Sequence, residues 1–204
     1  MRHESTSDHC SLAAGTLLYK AGNEGGAWQL LEGSIRLDRK ELGDEAGFAG
    51  LAIKGDILGA ETLLLGCYTY SATALTACTL ARWPGEAAQP EPSALLKALN
   101  SAERRGADAI ALRCGEAATR VRRLITLMTH ASSARKLSRL MLPALRDMAD
   151  ITALTVGTVS RTLVQLQAEG LLAGSETRRG RPRSDGEMTG RPLPEPPQGS
   201  VRPA

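Results

Sequence analysis

The sequence predicts an α+β fold with a β-rich N-terminal half and a helical C-terminal half. All six aromatic residues lie at or before Trp83. Short apolar runs separated by glycine occupy residues 15–83, whereas residues 93–142 are rich in Ala, Leu and Arg. A proline-rich stretch, residues 84–92, separates the two compositions and is typical of a linker.

The β-rich half is expected to form a roll, barrel or sandwich of short strands. Its candidate strands are the apolar runs at residues 15–22, 28–38, 48–53 and 71–83. Within the second run, which Gly33 interrupts, Ile35 and Leu37 alternate with polar residues, as a half-buried strand requires. In the last run, every second residue is expected to lie on one face of the strand: Thr73, Leu75, Ala77, Thr79 and Ala81.

The helical half is expected to contain one long helix and then two short helices around a turn. A stripe at helical spacing marks the end of the long helix, at Val121, Leu124, Ile125 and Met128. Residues 144–168 hold the two short helices, with Thr155 as an N-cap and Gly170 as a terminator. The side chains expected to face inward are Leu145, Met148, Ile151, Val159, Leu163 and Leu166.

The last 28 residues carry all of the excess positive charge. Residues 177–204 contain six arginines, three acidic residues and six of the ten prolines, leaving 19 basic and 19 acidic residues in the rest of the chain. Such a composition predicts a disordered tail with a polyanionic partner. Residues 178–183 resemble the Gly-Arg-Pro core of an AT-hook, in which Arg179 and Arg181 enter a minor groove. The alternative, which we favour, is a plain basic tail attracted to phosphates.

Several classes of protein are not expected. No apolar run is long enough to span a membrane and the N-terminus lacks a signal-peptide pattern, which favours a cytoplasmic protein with no membrane partner. The scattered cysteines, expected to be separate thiols, are Cys10, Cys67, Cys78 and Cys114. No phosphate-binding loop, zinc-protease motif or nucleophile elbow is present, so the sequence predicts no enzyme.

Residues 142–172 resemble the winged helix-turn-helix of the Crp/Fnr family of bacterial transcription regulators, above all in the run Leu-Thr-Val-Gly-Thr-Val-Ser-Arg-Thr-Leu. In a helix that buries Val159, the residues Gly157, Ser160 and Arg161 share the opposite face, which can enter the major groove of double-stranded DNA. The residues expected to bind DNA are Thr155, Gly157, Thr158, Ser160, Arg161 and Gln165, together with Arg179 and Arg181 of the tail.

Three features depart from that family. Gly157 stands where a DNA-reading glutamate is usual, so the base preference is open. Ala153 stands where a turn glycine is usual, and a left-handed alanine costs about 1 kcal/mol. The β-hairpin wing that follows in the family falls on residues 173–182, which are poor in strand-forming residues, so the wing is expected to be short or missing.

Residues 15–22, 30–36 and 54–61 resemble, in order and spacing, the cyclic-nucleotide-binding β-roll of the same family, a double-stranded jelly-roll-like domain. The resemblance implies ligand-pocket positions at Gly59, Glu61, Tyr70, Ser71 and Ala72. Ala60 splits the Gly-Glu pair that holds ribose in cyclic-nucleotide members, and Tyr70 replaces the arginine that holds phosphate. Burying an unpaired phosphate is costly, so cyclic AMP is not expected and the effector is unidentified.

Two other cofactors could supply the signal. An iron–sulfur cluster usually needs four thiolates, and Cys10 is the one N-terminal cysteine, so a cluster is disfavoured. Heme bound through His3, His9, Cys10 or Cys67 remains a lesser alternative. No metal site is predicted, and each of these residues is expected to be a lone surface or core residue.

The sequence therefore predicts a homodimeric DNA-binding transcription regulator that responds to a signal sensed by the β-roll and acts together with RNA polymerase. Dimerisation rests on the resemblance, because Arg104 and Arg105 interrupt the seam of a coiled coil in the long helix. The expected segments are a sensor β-roll at 10–85, a dimerisation helix at 93–130, a helix-turn-helix domain at 135–176 and a disordered tail at 177–204. The alternatives are a β-roll that has lost its ligand and serves as a scaffold, or an interaction protein whose degraded helix-turn-helix no longer binds DNA specifically.

Overall fold

The computed structural model describes residues 9–40, 46–85, 90–131, 142–169 and 172. In order along these residues, the strands are β1 (His9–Leu12), β2 (Leu17–Tyr19), β3 (Ala27–Glu32), β4 (Ser34–Lys40), β5 (Ala46–Ile53), β6 (Ile57–Leu58), β7 (Ser71–Ala74) and β8 (Cys78–Trp83). The helices are α1 (Thr62–Leu65), α2 (Pro92–Arg113), α3 (Ala117–Ala131), α4 (Leu145–Thr152) and α5 (Val156–Ala168). None of these helices combines the length and the apolar character that a membrane crossing needs.

Two four-stranded antiparallel sheets form the predicted β-roll. One sheet has the order β1-β8-β3-β6 and the other the order β2-β7-β4-β5. Ile35 and Leu37 of β4 are buried, as their alternation predicts, and they pack with Leu30 and Leu80 of the other sheet. The roll core is therefore formed by the inner faces of both sheets, which is why neither sheet could be stable alone.

The run at residues 71–83, predicted as one strand, is two strands in different sheets. β7 pairs with β2 and β4, whereas β8 pairs with β1 and β3. The buried residues of the run are Ala72, Ala74, Leu75, Cys78 and Leu80, of which only Leu75 belongs to the set expected to share one face. The prediction of a single strand was wrong because the alternation of residues indicates a strand-like period without showing where the chain passes from one sheet to the other.

Gly33 makes the crossing between the two sheets possible. It separates β3 from β4 and has a φ of +93°, a backbone conformation that L side chains rarely adopt. A Cβ atom at this position would lie 2.4 Å from the carbonyl oxygen of Ala77. The chain can therefore pass from one sheet to the other here because the residue has no side chain.

Where the sequence predicted one long helix over residues 93–130, the structure has two. α2 ends at Arg113 and α3 begins at Ala117, and the break contains Gly115 with a φ of +89°. The stripe at Val121, Leu124, Ile125 and Met128 is buried on α3, as predicted. The break allows α3 to turn this stripe toward a core that a straight continuation of α2 could not reach.

That second core joins the helical half to the roll. Met148 and Ile151 of α4 are fully buried, and they share a cluster with Leu51 of β5 and Leu124 of α3. Leu145, which was expected to face inward, is 39% exposed because it lies at the first residue of α4, beyond the edge of the cluster. The helix-turn-helix thus shares one apolar core with α3 and with β5 of the roll.

Arg104 and Arg105 of α2 face the roll, whereas the sequence analysis expected them to interrupt the seam of a coiled coil. Arg104 donates to Asp56, with an Nη2–Oδ1 distance of 2.6 Å, and Asp56 is 3% exposed. Arg105 donates to the carbonyl oxygen of Ile57 at 3.1 Å. Both cations are therefore used to hold α2 on the turn between β5 and β6, and they do not interrupt the outer face of the helix.

Candidate nucleic-acid interface

Helices α4 and α5 form a helix-turn-helix whose turn is closed by a strained residue. Ala153 has φ 51° and ψ 48°, and it is the one non-glycine residue with positive φ in the part of the chain that the structure describes. The amide of Leu154 donates to the carbonyl oxygen of Ala149 at 2.9 Å, which closes the end of α4. The backbone therefore adopts the left-handed turn that glycine usually provides, at a cost of about 1 kcal/mol for the alanine Cβ.

Thr155 caps the N-terminus of α5, as the sequence predicts. Its Oγ1 accepts a hydrogen bond from the amide of Thr158 at 3.2 Å, and the two threonine hydroxyls lie 2.9 Å apart. The cap satisfies one of the backbone amides that have no partner within the helix, and a helix N-terminus of this kind can bind a phosphate oxygen. Thr158 is half-buried, so its hydroxyl stabilises the helix end as well as being a DNA-binding candidate.

The inner face of α5 is fixed by apolar packing. Val159 and Leu166 are fully buried, and Thr162, 7% exposed, donates its hydroxyl hydrogen to the carbonyl oxygen of Thr158 at 2.9 Å. Leu163 packs against the same cluster. Because these contacts occupy one side of the helix, the helix cannot rotate about its axis without exposing them.

The opposite face of α5 is exposed along its whole length. Gly157, Ser160, Arg161 and Gln165, all expected to bind DNA, lie on this face. The Nε of Arg161 donates to the carbonyl oxygen of Gly157 at 3.3 Å, which aligns the arginine along the helix toward its N-terminus. A guanidinium in this position can bond the edge of a guanine with two parallel hydrogen bonds.

The C-terminal end of α5 is tied to α3 by polar contacts. Glu169 accepts from Arg122 at 3.0 Å and from the side-chain amide of Gln165 at 3.1 Å. Gln165 uses one N–H of its side-chain amide in this contact, and its second N–H and its Oε1 are the groups left for DNA. Arg179 and Arg181, the other two DNA-binding candidates, lie outside the described residues, as do Gly170, the wing segment and the tail.

Arginines from three other elements hold α4. Arg36 of β4 forms ion pairs with Asp147 and Asp150, while Arg113 and Arg120 donate to the carbonyl oxygens of Asp150 and Thr152, each at 3.2 Å. Free carbonyl groups at a helix C-terminus attract cations. The orientation of the helix-turn-helix is therefore set by charged contacts as well as by the apolar core.

The ligand-pocket candidates lie near one another in the roll. Glu61 accepts from the amide and the hydroxyl of Thr69, at 3.2 and 3.1 Å, and the hydroxyl oxygen of Ser71 accepts from the amide of Ala21 at 3.0 Å. Ala72 is fully buried and Tyr70 packs against the roll core. The polar side chains of Glu61 and Ser71 are therefore engaged by contacts within the chain.

Tyr68, which the sequence did not single out, fills the space beside them. Its ring stacks on that of Tyr19 with a centroid distance of 3.7 Å, and its hydroxyl donates to the carbonyl oxygen of Gly26 at 2.7 Å. A Cβ added at Gly25 would lie 2.2 Å from the Tyr68 hydroxyl, and one at Gly59 would lie 2.7 Å from the ring. Three glycines thus surround one aromatic ring, but Gly59 is far along the sequence from the other two, so spacing did not reveal them.

Arg105 lies close to this tyrosine pair and was not expected there from the sequence. Burial lowers the pKa of Arg105. The carboxylate of Asp56, 4.0 Å from the guanidinium, and Tyr19 act in the opposite direction. Burial, reinforced by the Glu61 carboxylate, raises the pKa of Tyr19, so its hydroxyl stays protonated at neutral pH. The described residues contain no group of three or more side chains that could hold a metal ion, and the four cysteines are unpaired.

Comparisons with known proteins match both halves of the chain. The model of the family described as "Cyclic nucleotide-binding domain" matches residues 9–90, and that of "Bacterial regulatory proteins, crp family" matches residues 146–172. The comparison with curated proteins found no match.

Solved structures show the same architecture. A transcriptional regulator of the CRP family from Thermus thermophilus is 25% identical over 81% of this chain and 88% of that chain, with a TM-score of 0.62. FixK2 from Bradyrhizobium japonicum is 22% identical over 83% of this chain and 89% of that chain, with a TM-score of 0.59. A CRP/FNR-family regulator, also from Thermus thermophilus, is 22% identical over 82% of this chain and 89% of that chain, with a TM-score of 0.57.

Proposed function

Because the chain belongs to the Crp/Fnr family of transcription regulators, with its cyclic nucleotide-binding domain followed by its helix-turn-helix, we propose that it acts as a homodimer that reads a two-fold-symmetric DNA site with α5. One observation carries the proposal: α5 is held by a fully buried inner face, while the side chains of Ser160 and Arg161 are exposed on the outer face. Such a helix can enter the major groove without losing any contact to its own domain.

The dimer is proposed to form along the outer face of α2. This face carries Leu96, 66% exposed, Leu99, 58% exposed, and Ile110, 68% exposed. Between them, a Cβ atom added at Gly106 would meet nothing within 4 Å. Apolar residues on both sides of a small residue allow two helices to approach closely, and Arg104 and Arg105 are turned away from this face toward the roll.

The β-roll is proposed to serve either as a sensor for a ligand other than cyclic AMP or as a scaffold. Two features support excluding cyclic AMP: Tyr70 supplies no positive charge for the phosphate, and Tyr68 occupies the space beside Gly59. Calorimetric titration with cyclic AMP and cyclic GMP is expected to give no heat of binding. A measurable heat with either nucleotide contradicts this part of the proposal.

The segments proposed to carry these roles are those expected from the sequence, with residues 10–85 as the sensor or scaffold, 93–130 for dimerisation and 135–176 for DNA binding. RNA polymerase is the proposed protein partner, since the family acts at promoters. We propose no catalytic role.

Selection of bound duplexes from a random DNA pool tests the main proposal. At near-physiological salt, the full-length protein is expected to enrich a two-fold-symmetric motif whose half-sites lie about one helical turn apart, roughly 34 Å. An Arg161→Ala variant is expected to bind the selected motif roughly tenfold more weakly, since one bidentate contact to guanine contributes about 1–3 kcal/mol. Arg39→Ala removes a cation from the roll and is the matched control.

A second function is favoured by Gly157 alone. With no side chain at this position, α5 lacks one of the contacts that the resemblance predicts, which fits a helix-turn-helix that no longer binds DNA specifically. An Arg161→Ala variant that binds DNA as well as the unchanged protein supports that alternative, as does a pool in which no motif is enriched.

A further inference from the structure

The exposed face of α5 consists of two parallel rows of side chains. Residues four apart lie one above the other on a helix. Gly157, Arg161 and Gln165 form one row, which is polar, and Val156, Ser160 and Val164 form the adjacent row. This second row, which we call the valine row, has an apolar side chain at each end.

The two valines of this row contribute little to the packing of their own chain. Val156 is 45% exposed and Val164 is 64% exposed, whereas Val159 on the inner face is fully buried. A β-branched residue at an exposed helical position also lowers helix propensity relative to alanine. Burial and local stability therefore give no reason for valine at either position.

The position of the row supplies a reason. Val156 and Val164 lie one helical turn before and after Ser160, and Val164 is also one turn from Arg161, so a duplex contacted by Ser160 and Arg161 can reach this row. The thymine C5-methyl group is the apolar group that a base pair presents in the major groove. Polar base edges cannot bond a valine, and covering them would leave donors and acceptors unsatisfied.

We propose that Val156 and Val164 contact thymine methyl groups and thereby set the base preference of each half-site. This inference rests on the proposed DNA binding through α5. The two valines are eight residues apart, so they are separated by about 12 Å along the helix, at 1.5 Å per residue. At roughly 3.4 Å per base pair, the half-site is expected to place two thymines about three to four base pairs apart, with the guanine bound by Arg161 between them.

Gly157 helps the first of these contacts to form. A Cβ atom there would meet nothing within 4 Å, so the N-terminal turn of α5 presents bare backbone beside Val156. A helix end without a bulky side chain can approach the bases more closely. The loss of the usual glutamate is therefore compatible with a reading mode in which apolar contact replaces one polar contact.

Uracil substitution tests the inference, because uracil differs from thymine by the C5-methyl group alone. Starting from the motif enriched by the full-length protein, each thymine is replaced in turn by uracil, and dissociation constants are measured by fluorescence anisotropy at fixed salt. The unchanged protein is expected to bind about fourfold more weakly at each of two uracil positions per half-site, since one buried methyl contributes about 0.8 kcal/mol.

The variants Val156→Ala and Val164→Ala should each lose the response to uracil at one of these positions while still requiring the guanine. Both side chains are exposed, so the variants are expected to fold, which thermal unfolding checks. Leu64→Ala is the matched control: it removes an apolar side chain, 88% exposed, from α1 in the roll and should leave both uracil responses intact.

The possible outcomes distinguish a failure of the thymine contacts from a failure of DNA binding by α5. A motif that requires guanine but tolerates uracil everywhere overturns the valine row and leaves DNA binding by α5 standing. Uracil responses that persist in both valine variants also overturn it, because another group must then contact the methyls. A pool without any enriched motif removes the proposed function and, with it, the inference.

Discussion

Arg36 on strand β4 and Asp150 on helix α4 form an ion pair across the junction between the β-roll and the helix-turn-helix. Arg36 is also held by Asp38, on its own strand, with an Nε–Oδ1 distance of 2.7 Å. Any rotation of the helix-turn-helix relative to the roll must break the pair with Asp150. The contact is therefore one point at which a change in the roll can alter the orientation of α5.

This ion pair is expected to contribute measurably to stability. In a double-mutant cycle with Arg36→Ala and Asp150→Ala, urea unfolding should give a coupling free energy of about 0.5–1 kcal/mol, because Asp150 is half exposed and water screens the pair. Asp147, whose Oδ1 lies 3.9 Å from Arg36, is the matched control and should couple more weakly. High salt should reduce the coupling free energy. A coupling free energy of zero at low salt shows that the ion pair does not contribute to stability.

Ala153 is expected to be a site where glycine stabilises the protein. Its φ of 51° strains an alanine but not a glycine. Ala153→Gly should raise the free energy of unfolding by about 0.5 kcal/mol at most, because the greater freedom of glycine in the unfolded chain offsets roughly half or more of the strain that is relieved. Ala168→Gly, in the ordinary helical backbone of α5, is the control and should not stabilise. If both changes lower the melting temperature equally, Ala153 is not strained.

Two glycines should respond to alanine in opposite directions. Gly33→Ala is expected to destabilise by about 2 kcal/mol or more, since φ is +93° and the new Cβ would lie 2.4 Å from a carbonyl oxygen. Gly157→Ala, in the first turn of α5 with open space around it, should stabilise by about 0.5–1 kcal/mol. Urea unfolding of the two variants measures both effects, and changes of the same sign contradict the assignment of the two sites.

Cysteine reactivity should follow burial. Burial raises the pKa of the Cys78 thiol, which is 3% exposed and donates to the carbonyl oxygen of Ser34 at 3.3 Å. Because the thiolate is the reactive form, iodoacetamide should leave Cys78 unmodified in the folded protein while it labels the exposed Cys114. Peptide mass spectrometry with and without urea measures this. Equal labelling of both residues before unfolding is inconsistent with the buried position of Cys78.

The features that the sequence predicted correctly are those that depend on residues close together along the chain. The stripe from Val121 to Met128, the cap at Thr155 and the exposed face containing Arg161 all depend on residues within four positions of one another. Helical periodicity and capping operate over that distance. The same holds for Ile35 and Leu37, whose alternation within one strand indicated which side is buried.

The elements that the sequence did not predict depend on residues that are distant along the chain. The run at residues 71–83 divides between two sheets because each half has a different partner strand. Tyr19 and Tyr68 stack although they are far apart in sequence, and no spacing rule connects them. From the sequence, Arg104 and Arg105 interrupt the apolar face of a helix. In the folded chain Asp56 lies against α2, so the two arginines contact the roll instead.

The sequence by itself therefore determined the strands β3–β5, the helix-turn-helix and the exposed face of α5, since these follow from short-range periodicity, capping and turn chemistry. The tertiary structure decided which faces are covered, how the roll interior is filled by Tyr68 and how Arg36 and its neighbours hold α4 on the roll. The physical reason is that burial and ion pairing act between surfaces, and the sequence does not specify which surfaces meet until the chain has folded.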